Sequence, residues 1–282
     1  MAQPTQKPAG RAAGDAEQYT HGYSDAVVAI MESRSPETVA GFLLPHLKPG
    51  MSLLDCGCGP GSTTIGFARL LAPGKVAGID IGAGQIERAR ANASKAKVAN
   101  VSFKAGSVYE LPYADASFDA AFAHTVLQHL KEPERALKEI LRVLKPGGVF
   151  GVRDEDNGTW ITYPDSPALA ESHDLYMRVW RHNGGDPNLG RRHRSLLTEA
   201  GFARVEAGAT AGAWSSPEAA KWWAEINSGL VLDPQYVETV TRLGWGDRET
   251  LKRHSRAWLE WGRRPDAFSS WTWCHAVGWK AQ

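Results

Sequence analysis

A glycine-rich turn marks the part of the chain best suited to bind a ligand. The turn, Gly57-x-Gly59-x-Gly61, follows an apolar run at 51–56 and precedes residues with helical spacing. Glycines are needed where a ligand approaches the backbone closely, or where the chain takes dihedral angles that a Cβ disfavours. The N-terminus of the following helix offers free N–H groups and the positive end of a dipole, which favour a carboxylate or a phosphate. This context predicts a nucleotide-type ligand.

Two acidic residues narrow the choice of ligand. Asp80 ends the second predicted strand, 19 residues after Gly61, where a carboxylate can accept hydrogen bonds from ribose hydroxyls. The dinucleotide fingerprint Gly-x-Gly-x-x-Gly has a different spacing, and here Asp55 precedes the turn. An acid at that point would repel a pyrophosphate but pair with an ammonium group. S-Adenosylmethionine carries a ribose, an amine and a carboxylate together, and we predict it as the cofactor.

Three further residues could act on a substrate, because open sheets bind ligands at the carboxyl ends of their strands. His124 follows the fourth predicted strand, Asp154 follows the fifth together with Glu155 and Arg153, and His129 lies five residues beyond His124. As catalytic residues, each could accept a proton or contact the substrate. As structural residues, the two histidines would be a cofactor wall and a packing side chain. Asp154 would then form a salt bridge with Arg153 at the strand end.

The cysteines indicate neither a metal site nor a disulfide framework. Cys56 and Cys58 have the spacing of a Cys-x-Cys pair, but no nearby His or Cys completes a zinc set. Three cysteines are too few for a disulfide framework, and an odd count is typical of a reducing compartment. We therefore expect no metal and a cytoplasmic location.

The elements that position these residues alternate between strand and helix. Residues 51–154 are predicted to form five strands, the last at 149–154, separated by helices and short Gly/Pro turns. This pattern predicts an α/β fold with a doubly wound, mostly parallel sheet covered on both faces. The expected parts are a disordered tail at 1–18, an N-terminal helical segment at 19–48, the core at 49–212, an inserted helical cap at 213–265 and the final core strand at 266–282.

The motifs together resemble class I S-adenosylmethionine-dependent methyltransferases, of the group similar to the ubiquinone/menaquinone-biosynthesis C-methyltransferases. The resemblance covers roughly residues 40–155. It rests on segments 53–61, 76–81, 103–108, 117–119, 127–130 and 144–148. It implies a Rossmann-like methyltransferase with a cofactor site formed by Tyr23, Asp55, Gly57, Cys58, Gly59, Gly61, Asp80, Ile81, Gln85, Gly106, Ser107, Val108 and His124.

The resemblance also implies a role for each part of that site. The glycines lie under the methionine part, with Asp55 near its ammonium and Asp80 on the ribose. Ile81 and Gln85 flank the adenine, and residues 106–108 lie at the edge of its amine. Related enzymes fold an N-terminal segment over the cofactor, where the ring of Tyr23 would face the sulfonium. The family usually has Asp at the position of Ser107, and a hydroxyl accepts a hydrogen bond less strongly than a carboxylate.

The composition excludes some function classes and shows one asymmetry. The 282 residues include 32 Lys and Arg against 31 Asp and Glu, so no basic excess indicates nucleic-acid binding. No run approaches the roughly 18 apolar residues of a membrane helix. All eleven tryptophans lie at or after residue 160. Five could line a pocket for a flat acceptor or belong to ordinary core: Trp160, Trp214, Trp222, Trp223 and Trp245. Three are expected to pack the final strand: Trp271, Trp273 and Trp279.

The sequence therefore predicts an enzyme that transfers a methyl group from S-adenosylmethionine to a small, aromatic or natural-product-like acceptor by in-line displacement. Such a reaction needs a base only where the acceptor must lose a proton. Two alternatives are an NAD-dependent oxidoreductase on a similar sheet and a non-catalytic S-adenosylmethionine-binding protein. The methylated atom and the oligomeric state stay open.

Overall fold

The computed structural model describes Thr20 and residues 25–282. The strands in these residues are β1 Leu53–Cys56, β2 Val76–Asp80, β3 Val101–Ala105, β4 Phe118–His124, β5 Leu144–Tyr163, β6 Arg204–Trp214 and β7 Phe268–Trp279. They form one sheet in the order β3-β2-β1-β4-β5-β7-β6. The strands β1 to β5 run parallel, and β7 pairs antiparallel with both β5 and β6. The predicted doubly wound, mostly parallel α/β fold is confirmed.

Ten α-helices accompany the sheet in the described part of the chain. They are α1 Asp25–Glu32, α2 Pro36–Val39, α3 Ser62–Leu70, α4 Ala83–Lys95, α5 Pro133–Val143, α6 Pro167–His182, α7 His193–Ala200, α8 Pro217–Leu230, α9 Pro234–Arg242 and α10 Arg248–Trp261. Several begin at a proline that follows a capping side chain, as Ser166, Ser216 and Asp233 do for α6, α8 and α9. Proline suits this position because its missing N–H is not needed in the first turn. None of these helices combines the length and apolar character needed to cross a membrane.

The core lies on both faces of the sheet. Successive residues of a strand point to opposite faces, and the fully buried Leu53 and Leu54 of β1 accordingly join different apolar clusters. Phe67 of α3 belongs to the cluster on one face, and Leu137 of α5 to the cluster on the other. The apolar run of β1 is thus explained by helices covering both faces, which holds the carboxyl ends of the central strands in fixed positions.

Strand β5 is much longer than predicted. The sequence indicates a strand at 149–154, whereas β5 continues to Tyr163 and pairs with β7 along most of that length. The extension begins with buried polar side chains that find distant partners. Asp156 accepts two hydrogen bonds from Arg191, and the Asn157 amide donates to the Pro187 carbonyl at 3.0 Å. These partners allow a polar segment to continue a strand instead of forming a loop.

Helices α8, α9 and α10 follow β6 and precede β7, within 213–265. Helix α6 packs with them, although the predicted boundary assigns it to the core. Leu175 of α6 belongs to an apolar cluster with Val240 and Leu251, and Leu169 belongs to another with Trp258. We call α6, α8, α9 and α10 the helical layer. It packs against the extension of β5, where Trp160 contacts the cluster that contains Leu169 and Trp258.

Candidate active site

A first cavity opens at the carboxyl ends of β1, β2 and β4. Its empty space, including the part open to solvent, is about 1020 Å³. The described residues that line it are Met31, Arg34, Asp55, Gly57, Cys58, Gly59, Pro60, Ser62, Thr63, Asp80, Ile81, Gly106, Ser107, Val108, Tyr109, Phe122, His124, Thr125, Val126, His129 and Leu130. Ten of the thirteen predicted cofactor residues are among them, so the fold brings segments far apart in sequence to one place.

The glycine turn forms the floor of this cavity. All three of its glycines have positive φ, at 71° for Gly57, 50° for Gly59 and 83° for Gly61. A Cβ on Gly57 would lie 2.4 Å from Cγ2 of Val126, whereas one on Gly59 would meet only Sδ of Met31 at 3.5 Å. The backbone conformation therefore requires glycine, and the side chain absent at Gly59 leaves room for a ligand beside the backbone.

Asp80 supports the turn from the end of β2. Its carboxylate oxygens accept hydrogen bonds from the backbone N–H groups of Gly59 and Gly82, each at 2.8 Å. Burial raises the pKa of Asp80 above its usual value, although both hydrogen bonds act in the opposite direction. The carboxylate is fixed at the cavity wall by two donors, and its remaining lone pairs can accept hydrogen bonds from a diol.

Asp55 is a second buried carboxylate in the same wall. Burial raises its pKa to about 7, and the charge of Asp80 adds to this effect, while a hydrogen bond from Thr64 at 2.6 Å opposes it. Neither carboxylate forms an ion pair with a described side chain. A cation placed between them would offset the cost of burying their charges. This donor set fits S-adenosylmethionine, which carries an ammonium, a sulfonium and a ribose diol.

His124 ends β4 and lies against the same cavity. Its Nδ1 is 3.2 Å from the backbone carbonyl of Arg153. Because a carbonyl oxygen only accepts, Nδ1 carries the proton and Nε2 is left as an acceptor. Burial, together with the charges of Arg34 and Arg153, holds the pKa of His124 well below its usual value. The imidazole is therefore neutral at physiological pH.

The other two predicted catalytic residues have different positions. His129 lines the first cavity and stacks on Trp180, with ring centroids 4.8 Å apart. Asp154 lines neither this cavity nor the second cavity described below; its carboxylate accepts a hydrogen bond from Nε2 of His193 at 2.9 Å, and both side chains are buried. The structure thus does not bring Asp154 to the site, and its partner is His193 rather than the predicted Arg153.

The remaining predicted cofactor residues divide by location. Gly61 caps α3 and Gln85 is buried in α4, and neither is among the residues that line the cavity. Tyr23 lies outside the described residues. Sequence reasoning missed Arg34 and Thr125, whose side chains approach within 3.3 Å of each other at the cavity wall. No motif marks Arg34, and the positive φ of Thr125, 55°, has no signature in the sequence.

A second cavity of about 1000 Å³, including its open part, lies between the helical layer and the strands β5, β6 and β7. Within the described residues, eight tryptophans line it: Trp160, Trp180, Trp214, Trp222, Trp223, Trp258, Trp271 and Trp273. Its polar lining is Arg34, Glu155, Asn157, Ser172, His173 and Asn227. Four of the five tryptophans considered for an acceptor pocket are present. The fifth, Trp245, instead lies under Arg178, with the guanidinium 4.0 Å from its ring centroid.

The two cavities adjoin one another. Arg34 lines both. Two ring contacts also connect their walls: His124 of the first cavity lies 5.4 Å from Trp273 of the second, and His129 stacks on Trp180. Two molecules, one in each cavity, could therefore come into contact beside Arg34. In the described part of the chain, no cluster of three or more His, Cys, Asp or Glu side chains is arranged to hold a metal ion.

Comparison with known proteins gives a consistent result. Residues 47–219 match the family model described as "Methyltransferase domain". The chain is 31% identical to an uncharacterized methyltransferase of Schizosaccharomyces pombe over 86% of its own length and 89% of that protein. It is 30% identical to the probable methyltransferase ltbC of Aspergillus luteorubrus, over 95% and 99% of the two chains.

One relative that matches over a shorter length and one solved structure are also similar to this chain. The chain is 33% identical to the O-methyltransferase resE of Aspergillus sclerotiorum over 56% of each chain. The structure of the YcgJ protein of Bacillus subtilis superposes with a TM-score of 0.59 and 19% identity, over 86% of this chain and 97% of that one. At that identity the structural likeness concerns the fold alone.

Proposed function

The chain belongs to the methyltransferase-domain family, and from this premise we propose that it methylates an oxygen atom of a small molecule held in the second cavity. It is an S-adenosylmethionine-dependent methyltransferase. The observation that carries the rest of the proposal is the pair of adjoining cavities, which share Arg34. One fits the methyl donor, and the other is lined mostly by aromatic side chains, as small-molecule sites commonly are.

The residues of the first cavity have the task of holding the donor. Asp80 accepts hydrogen bonds from the ribose, Asp55 pairs with the ammonium, and the backbone of the glycine turn lies beneath the methionine part. When bound, S-adenosylmethionine supplies a methyl group on a sulfonium, which is a good leaving group. The protein then has to align the acceptor at about 3 Å from that methyl group. The walls formed by His124 with Trp273, and by His129 with Trp180, restrict water at this point.

Oxygen is the proposed acceptor atom for two reasons. A relative that matches over half of the chain is named an O-methyltransferase. The second cavity also contains a carboxylate, Glu155, that can accept a hydroxyl proton. The resemblance to C-methyltransferases of ubiquinone and menaquinone biosynthesis covers residues 40–155, which include most of the residues that line the first cavity. We propose that it describes donor binding and does not extend to the acceptor.

Two further expectations are part of this proposal. The near-balance of charge favours a small-molecule acceptor over a nucleic acid. The cysteines Cys56, Cys58 and Cys274 are free and buried, which is typical of a protein from a reducing compartment such as the cytoplasm.

The test is a labelled-methyl screen. The full chain is incubated with S-adenosylmethionine labelled in its methyl group and with hydroxylated aromatic compounds or a cell extract, and products are identified by mass spectrometry. We expect label on an oxygen atom. Label on carbon or nitrogen alone would overturn the choice of oxygen, and absence of transfer despite donor binding would favour a non-catalytic binding protein. Titration with NAD serves as the control for the oxidoreductase alternative, for which saturable binding is the contrary result.

A further inference from the structure

The second cavity has walls of stacked aromatic rings. Trp214 lies 4.4 Å from Trp223 and 4.1 Å from Trp271, measured between ring centroids, and Trp160 stacks on His173 at 4.2 Å. These residues belong to β5, β6, β7, α6 and α8, so five elements contribute flat faces to one space. Rings of this kind favour offset or edge contacts with other rings. The cavity therefore fits a planar molecule of several rings better than a flexible chain.

Glu155 is the carboxylate in the lining of this space. Its backbone N–H donates to the side-chain oxygen of Gln128 at 2.7 Å, and the amide of Asn157 donates to its Oε2 at 3.2 Å. Gln128 is itself fully buried. Among the described residues, no other group hydrogen-bonds to the carboxylate, so Oε1 can accept from a ligand. The carboxylate is thus oriented at one oxygen and available at the other.

The protonation state of Glu155 is suited to exchanging a proton near neutral pH. Burial raises its pKa to about 7, whereas Asn157 and Arg34 act in the opposite direction. The other titratable groups around the cavity are less suited. The pKa of His173 is lowered to about 4 by burial, and the carboxylate of Asp154 is occupied by His193. Tyr176 and Arg34 are the remaining ionisable side chains of the lining.

The charges beside Glu155 favour a neutral or anionic acceptor over a cationic one. Arg34 lines the cavity, and the guanidinium of Arg153 lies 4.1 Å from the ring centroid of Trp273, another lining residue. Burial and the charge of Arg34 lower the pKa of Arg153 to about 10, which leaves it charged at neutral pH. Two guanidinium groups would repel an ammonium group and stabilise the negative charge that develops on a phenol oxygen.

Resting on the proposed function, we propose that Glu155 is the general base that accepts the hydroxyl proton of a multi-ring phenol held between the tryptophans of the second cavity. The O–H bond of the phenol breaks and its proton passes to Glu155. An electron pair of the oxygen forms the bond to the methyl carbon, and the methyl–sulfur bond breaks with its pair remaining on sulfur. The products are the methyl ether, S-adenosylhomocysteine and protonated Glu155, which releases its proton to solvent.

The first experiment measures binding without turnover. Quenching of tryptophan fluorescence is followed while 2-naphthol, 7-hydroxyflavone or N,N-dimethylbenzylamine is added in the presence of S-adenosylhomocysteine. We expect saturable quenching by 7-hydroxyflavone, weaker quenching by the two-ring 2-naphthol, and none by the amine. The affinity for the phenols should fall as the pH drops below about 7, because protonated Glu155 accepts a hydrogen bond less well. Failure of both phenols to bind, or tighter binding of the amine, overturns the proposal.

The second experiment compares Glu155→Gln with wild type and with Glu225→Gln, the same change at an exposed position of α8. We expect the kcat for 7-hydroxyflavone methylation in Glu155→Gln to fall at least about 100-fold. Its KM should change less than about tenfold, and its affinity for S-adenosylmethionine should be that of wild type, which also reports correct folding. The loss should diminish at high pH, where the phenol ionises in solution and needs no base. Glu225→Gln should match wild type.

Three results would contradict the assignment of Glu155. They are a kcat in Glu155→Gln within about threefold of wild type, an equal loss of binding and turnover, and a wild-type kcat at saturating donor that does not fall below pH 7. The last measurement needs no variant, so it decides the matter even if Glu155→Gln does not fold. The labelled-methyl screen tests the proposed methylation of oxygen separately from the role of Glu155. Label on an oxygen with an unimpaired Glu155→Gln variant would retain the proposed function and remove the role of Glu155.

Discussion

At the scale of single residues, Asp80 offers the sharpest test of the donor cavity. Replacing Asp80 with Ala removes the proposed acceptor of the ribose hydroxyls and the acceptor of two backbone N–H groups. We expect the affinity for S-adenosylmethionine to fall by roughly 1–3 kcal/mol, which is about 5- to 150-fold. Isothermal titration calorimetry measures this loss. Asp165→Ala, at an exposed position, is the matched control and should bind as wild type does. An unchanged dissociation constant in Asp80→Ala would place the ribose elsewhere.

The proposed pairing of Asp55 with the ammonium of the donor predicts a pH dependence of donor binding with a definite sign. Its pKa of about 7 means that the carboxylate becomes protonated as the pH falls through neutrality, and a protonated acid does not pair with an ammonium group. We expect the affinity for S-adenosylmethionine to decrease below pH 7, approaching about tenfold per pH unit. The stability of the ligand-free protein has the opposite dependence. A pKa raised above the unfolded value of 3.8 makes Asp55 favour folding at low pH and oppose it as the pH rises through 7.

The matched variant for this effect is Asp55→Asn, which keeps the shape of the side chain and cannot ionise. Calorimetric titrations of both proteins between pH 5.5 and 8.5 measure the two slopes, and Asp55→Asn should bind more weakly with little pH dependence. Equal slopes in wild type and Asp55→Asn would assign the effect to another group, of which Asp80 is the nearest candidate because burial also raises its pKa.

The neighbouring acids of β5 illustrate what residue types alone cannot tell. The sequence places Asp154 and Glu155 together at the end of the predicted fifth strand as candidates, and the predicted catalytic residue is Asp154. Successive strand residues point to opposite faces. In the structure Asp154 faces His193 on one side, while Glu155 lines the second cavity on the other. The sequence predicts a carboxylate at this strand end. Which of the two acids faces the cavity depends on the register of β5, and that register is set by the partner strands.

At the scale of elements, the extension of β5 shows why the second cavity is harder to predict from the sequence than the first. The first cavity is built from short strands and turns, and their apolar runs and glycines can be recognised locally in the sequence. The extension starts with a polar segment at 155–158, which in sequence is typical of a loop. It is a strand because distant groups satisfy its side chains: Arg191 does so for Asp156, and the backbone carbonyl of Pro187 does so for Asn157. Nothing local encodes such pairs.

The turn before α3 permits a paired test of glycine. At Gly61 the φ of 83° is unfavourable for other residues, and a Cβ would lie 2.9 Å from Cβ of Ala89. We expect Gly61→Ala to lower the free energy of unfolding by roughly 1–3 kcal/mol. At Gly84, inside α4, a Cβ would meet nothing within 4 Å. Gly84→Ala should therefore raise it by roughly 0.5–1 kcal/mol, because alanine loses less conformational freedom in a helix.

Urea denaturation of the two variants and wild type measures these opposite changes. A loss of stability in both variants would indicate that α4 is crowded near Gly84, contrary to the open space in the structure. Stability of Gly61→Ala equal to wild type would show that the turn relaxes to another conformation, and the floor of the donor cavity would then not depend on positive φ.

At the scale of the whole molecule, the two cavities divide the chain by origin. The first cavity comes from residues 31–130, where most of the sequence motifs lie, and the second cavity comes mostly from residues 155–273. The clustering of tryptophans after residue 160 indicated an aromatic region, and the structure assembles eight of them, within its described part, around one space. A segment before the first motif is predicted to fold over the cofactor, but Arg34 itself has no sequence signal, because a single arginine has no pattern.

This division predicts that acceptor and donor binding can be separated by mutation. Trp223 of α8 contacts both Trp214 of β6 and Trp271 of β7, at centroid distances of 4.4 and 4.7 Å, and so connects the helical layer to the sheet. We expect Trp223→Ala to weaken binding of 7-hydroxyflavone at least about tenfold, because a stacking face of the cavity is lost. The affinity for S-adenosylmethionine should be unchanged, because Trp223 is not among the residues of the first cavity.

Trp279 provides the control of equal size. It lies at the far end of β7, where its ring contacts His46 and Arg204, and it lines neither cavity. Trp279→Ala costs stability as any large-to-small change does, yet both ligand affinities should stay at their wild-type values. If Trp223→Ala weakens donor and acceptor binding equally, while Trp279→Ala weakens neither, the two cavities act as one site. Donor binding would then also depend on the helical layer, because the first cavity would be complete only when this layer packs over the acceptor.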